Sequence, residues 1–295
     1  MASENSKFAA PHLFNVEGWV TVVTGGGTGI GLMIAQAFAN NGARVYITGR
    51  RKEVLETAAK TWGKSLLHPR GQIIPIQADC TDKDSIHNLV NEISKNEKHV
   101  DVLVNNAGIS KGTSSVEKGD ESAQALKEQL WNESLSDWEE VYRTNVIGYF
   151  FTSAAFVPLL SAAQRQDHTG TVINISSISG ITRTTQHHFK YNVSKGATIH
   201  LSTLLAQEFR RPGVKVRVNS IAPGIFPSEM TTGDSDETNK SGMEVGPDYG
   251  ETKGIPAGRP GRGEDMAQLA LFLACNEYAY GQTVAVDGGY LLEHP

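Results

Sequence analysis

The stretch "VTVVTGGGTGIG", residues 20–31, passes without interruption from a β-branched run into a glycine-rich turn. The run "WVTVVTGG" (19–26) has the composition of a strand covered on both faces. The turn opens directly into "GIGLMIAQAFANNGA" (29–43), whose apolar residues recur at helical spacing and stop at Asn41-Gly42. Strand, tight turn and amphipathic helix in that order begin a parallel, crossover-connected sheet rather than a hairpin.

Working outward, the same unit repeats. Six more apolar runs read as strands: "ARVYITG" (43–49), "QIIPIQAD" (72–79), "VDVLVNNAG" (100–108), "GTVINISS" (170–177), "VKVRVNSIAPG" (214–224) and "GQTVAVDGG" (281–289). Helical stretches separate them, at 51–60, 82–97, 136–163, 191–211 and 263–275. Seven strands alternating with helices give an α/β fold, a single-domain Rossmann fold with a doubly wound, mostly parallel sheet and helices on both faces. One domain is expected over 1–295, with 1–15 as a polar tail and two long connections, 109–135 and 225–257. Both connections follow C-terminal strand ends, where such sheets bind ligands, so both are expected near an active-site mouth. The second is read as a substrate lid.

Composition narrows the function classes. With 39% hydrophobic and 20% charged residues, the chain is an ordinary globular protein. A net charge of −5 gives no electrostatic reason to expect nucleic acid or an anionic membrane as a partner. No stretch reads as a membrane span or secretory signal. Cys80 and Cys275 are the only cysteines, and the nine histidines fall in no metal-binding spacing. The expectation is a cytoplasmic protein without a metal.

The turn "TGGGTGIG" (24–31) is the candidate nucleotide site. Gly25, Gly29 and Gly31 allow a tight turn and close backbone approach to a pyrophosphate, with Thr28 and Ile30 between them and free helix amides behind. An acidic residue about 20 positions on would bind the ribose 2′-hydroxyl of NAD. That place reads "ITGRR": Gly49, then Arg50 and Arg51. Two guanidiniums at a helix start, where the dipole disfavours cations, suit a 2′-phosphate, so NADP(H) is expected. Asp79 and Cys80, ending the third strand, are placed beside the adenine. Asn106, Ala107 and Gly108, ending the fourth, are placed along the cofactor's path.

"HHFKYNVSK" (187–195) holds the second constellation. Tyr191 and Lys195 are four apart and share a helix face. A phenol is a poor acid-base catalyst near neutrality; a nearby ammonium lowers its pKa. "NISS" upstream puts a hydroxyl at the sheet's C-terminal edge. His187 and His188 read as polar loop residues, with a pocket-lining role as the alternative.

Taken together, TGxxxGxG, NNAG, a strand-end serine, YxxxK and the "PG" after the sixth strand resemble the short-chain dehydrogenase/reductase family over residues 14 to 290. Fungal and bacterial NADPH-dependent ketone reductases are the nearest in character. The resemblance implies that Tyr191 is the general acid, that Lys195 tunes it and holds the ribose, and that a serine binds the substrate oxygen. It implies that Asn145, in "YRTNVIG", holds a water in a proton relay. Pro223, Gly224 and Ile225 would line the nicotinamide side, and Ser228 would contact the carboxamide or phosphate. Homo-oligomers, most often tetramers, are usual in the family. Its usual serine-to-tyrosine spacing would land on Ile178. Anchoring on Gly180 selects Ser177, and strand alternation argues against Ser176; Ser179 remains open. Two departures stand out. Thr28 occupies the place where some NADPH-dependent members carry a basic residue, and 40 positions separate Asn105 from Asn145, a long connection for the family.

The resulting reading is NADPH-dependent reduction of a ketone or aldehyde. Two alternatives stay open: an NADP-dependent alcohol dehydrogenase working oxidatively, and a non-catalytic dinucleotide sensor. A sensor would have no chemical need for the full set Asn145, Ser177, Tyr191 and Lys195. Substrate classes include 3-oxoacyl thioesters, polyols and polyketide-type ketones.

Overall fold

The computed structural model describes residues 2–114, 116 and 122–294. Two short helices, α1 (Ala2–Ser6) and α2 (Ala10–Leu13), precede β1 (Val20–Thr24). Then follow α3 (Gly29–Asn40), β2 (Arg44–Gly49), α4 (Lys52–Trp62), β3 (Gln72–Gln77), α5 (Lys83–Ser94) and β4 (Val102–Asn105). The second half runs α6 (Ala123–Trp131), α7 (Leu135–Tyr142), α8 (Gly148–Ser161), β5 (Thr171–Ile175), α9 (Phe189–Phe209) and β6 (Arg217–Pro223). It ends with α10 (Glu229–Thr232), α11 (Tyr249–Lys253), α12 (Gly263–Cys275), β7 (Thr283–Val286) and α13 (Tyr290–Glu293).

The seven strands form one sheet in the order β3-β2-β1-β4-β5-β6-β7, and every pairing is parallel. The sheet expected to be mostly parallel is parallel throughout. The strands are shorter than their apolar runs, and several of the C-terminal run ends, such as Ala78–Cys80 and Asn106–Gly108, leave the sheet to line the cleft. Pro75 sits in β3, an edge strand, where its missing N–H leaves no ladder bond unmade. Alternation along the strands splits the core into two layers. Val23, Val45 and Ile47 pack with Leu32, Phe38, Met266 and Leu273 on one face. Val20, Val22 and Tyr46 pack with Leu89, Phe156, Leu160 and Leu205 on the other.

The expected single helix over 136–163 is two helices, α7 and α8, joined by a wider π-type turn at Arg143–Ile147. Such a turn inserts one residue into the helical repeat, and this one carries Asn145. By length and composition alone the run Leu135–Ser161, in which an 18-residue window has mean hydropathy 1.3, could cross a membrane. Here Thr152, Ser153, Phe156 and Leu160 of α8 are buried within the fold, while Ile147 and Phe150 are exposed.

At the sheet's N-terminal edge, Asp101 accepts from the Val20 amide (2.7 Å) and from Arg165 (2.7 Å). His168 lies between Asp101 (2.9 Å) and Glu277 (3.3 Å). Glu277 in turn meets Arg217, whose guanidinium is fully buried. These charges tie the starts of β1, β4 and β6 together at the end opposite the cleft, leaving the C-terminal edge for chemistry.

Candidate active site

A cleft of about 530 Å³ runs along the C-terminal ends of the strands and crosses the switch point between β1 and β4. Every residue assigned from sequence to catalysis or cofactor lines it, except Gly31, Ile225 and Asn145. Gly31 works from behind: a Cβ there would lie 2.2 Å from the Gly25 carbonyl, so only glycine lets α3 start against its own turn.

At one end of the cleft, Thr28 precedes α3 without a side-chain cap, which leaves the first helix amides available where Gly29 and Ile30 line the wall. Asn106 does more than leave space. Its amide donates to the carbonyls of Thr24 (2.9 Å) and Gly25 (3.1 Å), stapling the glycine turn to the end of β4. Asp79 spends one carboxylate oxygen on the amide and hydroxyl of Thr81 (2.9 and 2.8 Å), which shapes the turn after β3. Burial pushes the Cys80 thiol up to about 11, so it is a neutral wall residue. Arg50 and Arg51 both border this end. Arg51 already has a partner: Glu229, at the start of α10, takes its guanidinium at 2.6 and 3.3 Å. Ser228 also stands at this end. A Cβ on Gly29 would lie 2.9 Å from its Cβ, so it sits at the glycine turn.

At the other end are Ser177, Tyr191 and Lys195. The three serines of "NISSISG" separate by their bonds. Ser176 Oγ donates to the Ile221 carbonyl (2.9 Å), and Ser179 Oγ donates to Gln186 (2.7 Å). Ser177 lines the cleft and acts on Tyr191: burial raises the phenol's pKa, and a hydrogen bond with Ser177 pulls it back. Lys195 donates to the Ile175 carbonyl (2.9 Å) with its ammonium 5.6 Å from the Tyr191 ring centre. Burial drives its pKa down to about 7. The expected lowering of the phenol by this lysine is not what dominates here, because burial disfavours charge on both groups. A Cβ on Gly108 would lie 3.3 Å from Asn145 Oδ1 and 3.4 Å from Lys195 Nζ, so this glycine packs against both.

Asn145 is fully buried beside the cleft. Its amide donates to the Ile109 carbonyl (3.0 Å) and Ser194 Oγ (3.0 Å), and its oxygen accepts from the Ile109 amide (2.9 Å). Its backbone carbonyl accepts from Thr198 (2.9 Å). It thus clamps the chain after β4 to α9.

The histidines also hold chain together. His187 Nδ1 is 3.2 Å from the Ser114 carbonyl and His188 Nδ1 is 3.3 Å from that of Gly112; donation to a carbonyl requires the proton on Nδ1. Neither ring lines the cleft. Glu133 completes the joint. It accepts from Lys190 (2.8 Å), Trp138 Nε1 (3.0 Å) and the Ser114 hydroxyl. The described part of 109–135 is therefore fastened to the first turn of α9, directly before Tyr191; residues 115 and 117–121 of that connection lie outside the described residues. The 225–257 connection lines the cleft at 226–231 and is fastened farther on, where Asn239 donates to the Val54 carbonyl (2.8 Å) and Thr238 accepts from Trp62 (2.8 Å). Glu229 and Glu133 were not singled out from sequence. Each acts on a partner 178 or 57 positions away, beyond any local pattern.

A nicotinamide dinucleotide matches this donor set: uncapped helix amides at one end, a Tyr-Lys pair at the other, and one continuous cleft between. The chain belongs to the short-chain dehydrogenase family, whose model matches residues 19–239. It is accordingly an oxidoreductase that uses a nicotinamide cofactor on a small-molecule substrate. Its relatives include the short-chain dehydrogenase/reductase PhomF of Diaporthe leptostromiformis, 39% identical over 294 residues, covering 97% of this chain and 96% of that one. The rhamnolipids biosynthesis 3-oxoacyl-[acyl-carrier-protein] reductase of Pseudomonas aeruginosa is 34% identical, covering 95% and 98%. Among solved structures, the Pseudomonas aeruginosa RhlG/NADP active-site complex superposes with a TM-score of 0.76 at 33% identity, covering 94% of this chain and 98% of that one.

Proposed function

We propose that this protein is an NADPH-dependent reductase of a ketone or aldehyde. The observation that carries the reading is that one cleft holds Arg50 and Arg51 at one end and Ser177, Tyr191 and Lys195 at the other. A bound NADPH supplies the hydride. The chain's residues do the rest. Ser177 and Tyr191 hydrogen-bond the substrate oxygen, and Tyr191, kept protonated by burial, delivers its proton as charge develops there. Lys195, poised near neutrality, replenishes that proton. Asn145 keeps the Ile109 backbone and α9 in register. The fork of Arg50 and Arg51 favours a 2′-phosphate over a bare ribose.

Relatives named as 3-oxoacyl-[acyl-carrier-protein] reductases make 3-oxoacyl thioesters the first ketones to try, with polyketide-type ketones next. We expect NADPH oxidation with at least one such ketone, much slower with NADH, and a loss of about 10²–10⁴-fold in kcat for Tyr191→Phe. Tight NADPH binding with no turnover of any carbonyl would favour the sensor reading instead.

We also propose a homo-oligomer, a tetramer. Ile147 at the end of the π-type turn, Phe150 of α8, and Val193 and Leu204 of α9 are exposed apolar side chains around the proposed catalytic pair. Phe272, Tyr278 and Tyr280, around the α12–β7 connection, form a second exposed set. Cys80 and Cys275, both free and both with thiols raised by burial, suit a reducing compartment such as the cytoplasm.

A further inference from the structure

Arg51 sits at the N-cap of α4, where the helix dipole disfavours a cation, and its side chain is half exposed. The end-on face of its guanidinium is occupied by both oxygens of Glu229, at 2.6 and 3.3 Å. Glu229 is itself held: Ser235 Oγ donates to Oε1 at 2.9 Å, and the residue opens α10 directly after Ser228, which packs on Gly29. Glu229 and Arg51 both line the cofactor cleft. A carboxylate and a phosphate cannot share one guanidinium face without strong like-charge repulsion.

We infer that Glu229 is a specificity-determining residue of the cofactor site: it competes with the 2′-phosphate of NADP(H) for Arg51, and so weakens the preference for the phosphorylated cofactor. The inference rests on the NADPH reading above, in which the arginines after β2 recognise that phosphate. Arg50 accepts from Gln77 through its backbone carbonyl (2.7 Å), while its guanidinium, which also lines the cleft, has no side-chain partner among the described residues. Cofactor entry then exchanges one partner of Arg51 for another. The exchange frees the Glu229 end of the 225–257 connection, while the Asn239 and Thr238 bonds to α4 and its end persist. Binding of NADH, which lacks the phosphate, leaves the Arg51–Glu229 pair in place.

The test measures Kd for NADPH and NADH by titration of wild type, Arg51→Gln, Arg50→Gln and Glu229→Gln, with thermal melts to verify folding. Glu229→Gln keeps the shape and the Ser235 bond but removes the competing charge. We expect it to tighten NADPH by about three- to tenfold, as befits a partly exposed pair, and to shift NADH by less than about twofold. The gain shrinks at high salt. Unchanged or weaker NADPH binding in Glu229→Gln overturns the inference, and so does equal tightening of both cofactors, which would mark a lid effect. Loss of NADPH affinity in Arg51→Gln with NADH unaffected upholds the underlying reading whatever Glu229→Gln does. If neither arginine variant separates NADPH from NADH, the NADPH reading itself fails.

Discussion

Lys195 and Tyr191 are one helical turn apart, and burial pushes both toward their neutral forms. For the phenol this keeps the proton on its oxygen, as the proposed reduction requires. For the lysine it has a cost in stability. Its pKa falls from 10.5 to about 7, so below about pH 7 both folded and unfolded chains are charged and the fold carries the full penalty of a buried ammonium. Between about 7 and 10.5 the unfolded chain binds more protons, and this group's contribution to stability rises with pH. Lys195→Met should therefore melt higher than wild type at pH 6, with the advantage gone near pH 10, while kcat drops by roughly 10²-fold or more. A melting temperature unchanged at pH 6 would mean that the ammonium is well solvated in the folded protein. The three serines of "NISSISG" are also told apart at this scale by their bonds. Alternation argued against Ser176, but only the bond from Ser179 to Gln186 separates Ser179 from Ser177, because the 3₁₀ turn Ile178–Gly180 breaks the strand periodicity.

At the scale of elements, α9 is held at its first turn by a carboxylate from another segment. Burial opposes the charge on Glu133, yet the Lys190 ammonium, the Ser114 hydroxyl and the Trp138 N–H together hold its pKa below the ordinary carboxylate value. Lys190 is buried. Glu133→Gln leaves that ammonium without its counter-charge and should cost about 2–4 kcal/mol in urea denaturation near neutrality. A depressed carboxyl contributes stability above its unfolded pKa and loses it as pH falls through the folded one, so variant and wild type should converge in acid. Adding Lys190→Met to Glu133→Gln should recover part of the loss. A Glu133→Gln protein as stable as wild type at pH 7 would show that this joint is slack. The sequence marked 109–135 as long and polar and "HHFKYNVSK" as ambiguous. That one grips the other follows from the fold, which brings the end of β4 and the start of α9 to the same sheet edge.

For the whole molecule, the exposed apolar residues of α8 and α9 have a consequence in solution. Wild type should sediment as an oligomer, and Phe150→Asp together with Leu204→Glu should reduce it to smaller species and lower its activity. Wild type sedimenting as a monomer would remove the oligomer from the account. Burial explains how so apolar a helical run belongs to this fold: one face of α8, with Phe156 and Leu160, is spent on the core, and Phe150 is exposed.

Local chemistry by itself determined the seven strands, the glycine turn and the Tyr-Lys pair, because strand burial, helix starts and i, i+4 spacing are all written in neighbouring residues. It also located Arg50 and Arg51 by their distance from the turn. Only the tertiary structure decided what those groups touch. Asn145 proved to be a clamp on Ile109, His187 and His188 proved to be fasteners, and Arg51 proved to be held by Glu229. Each of these contacts joins chain segments dozens to hundreds of positions apart. Their partners are chosen by which loops the parallel sheet gathers at its C-terminal edge, and no spacing along the chain encodes that.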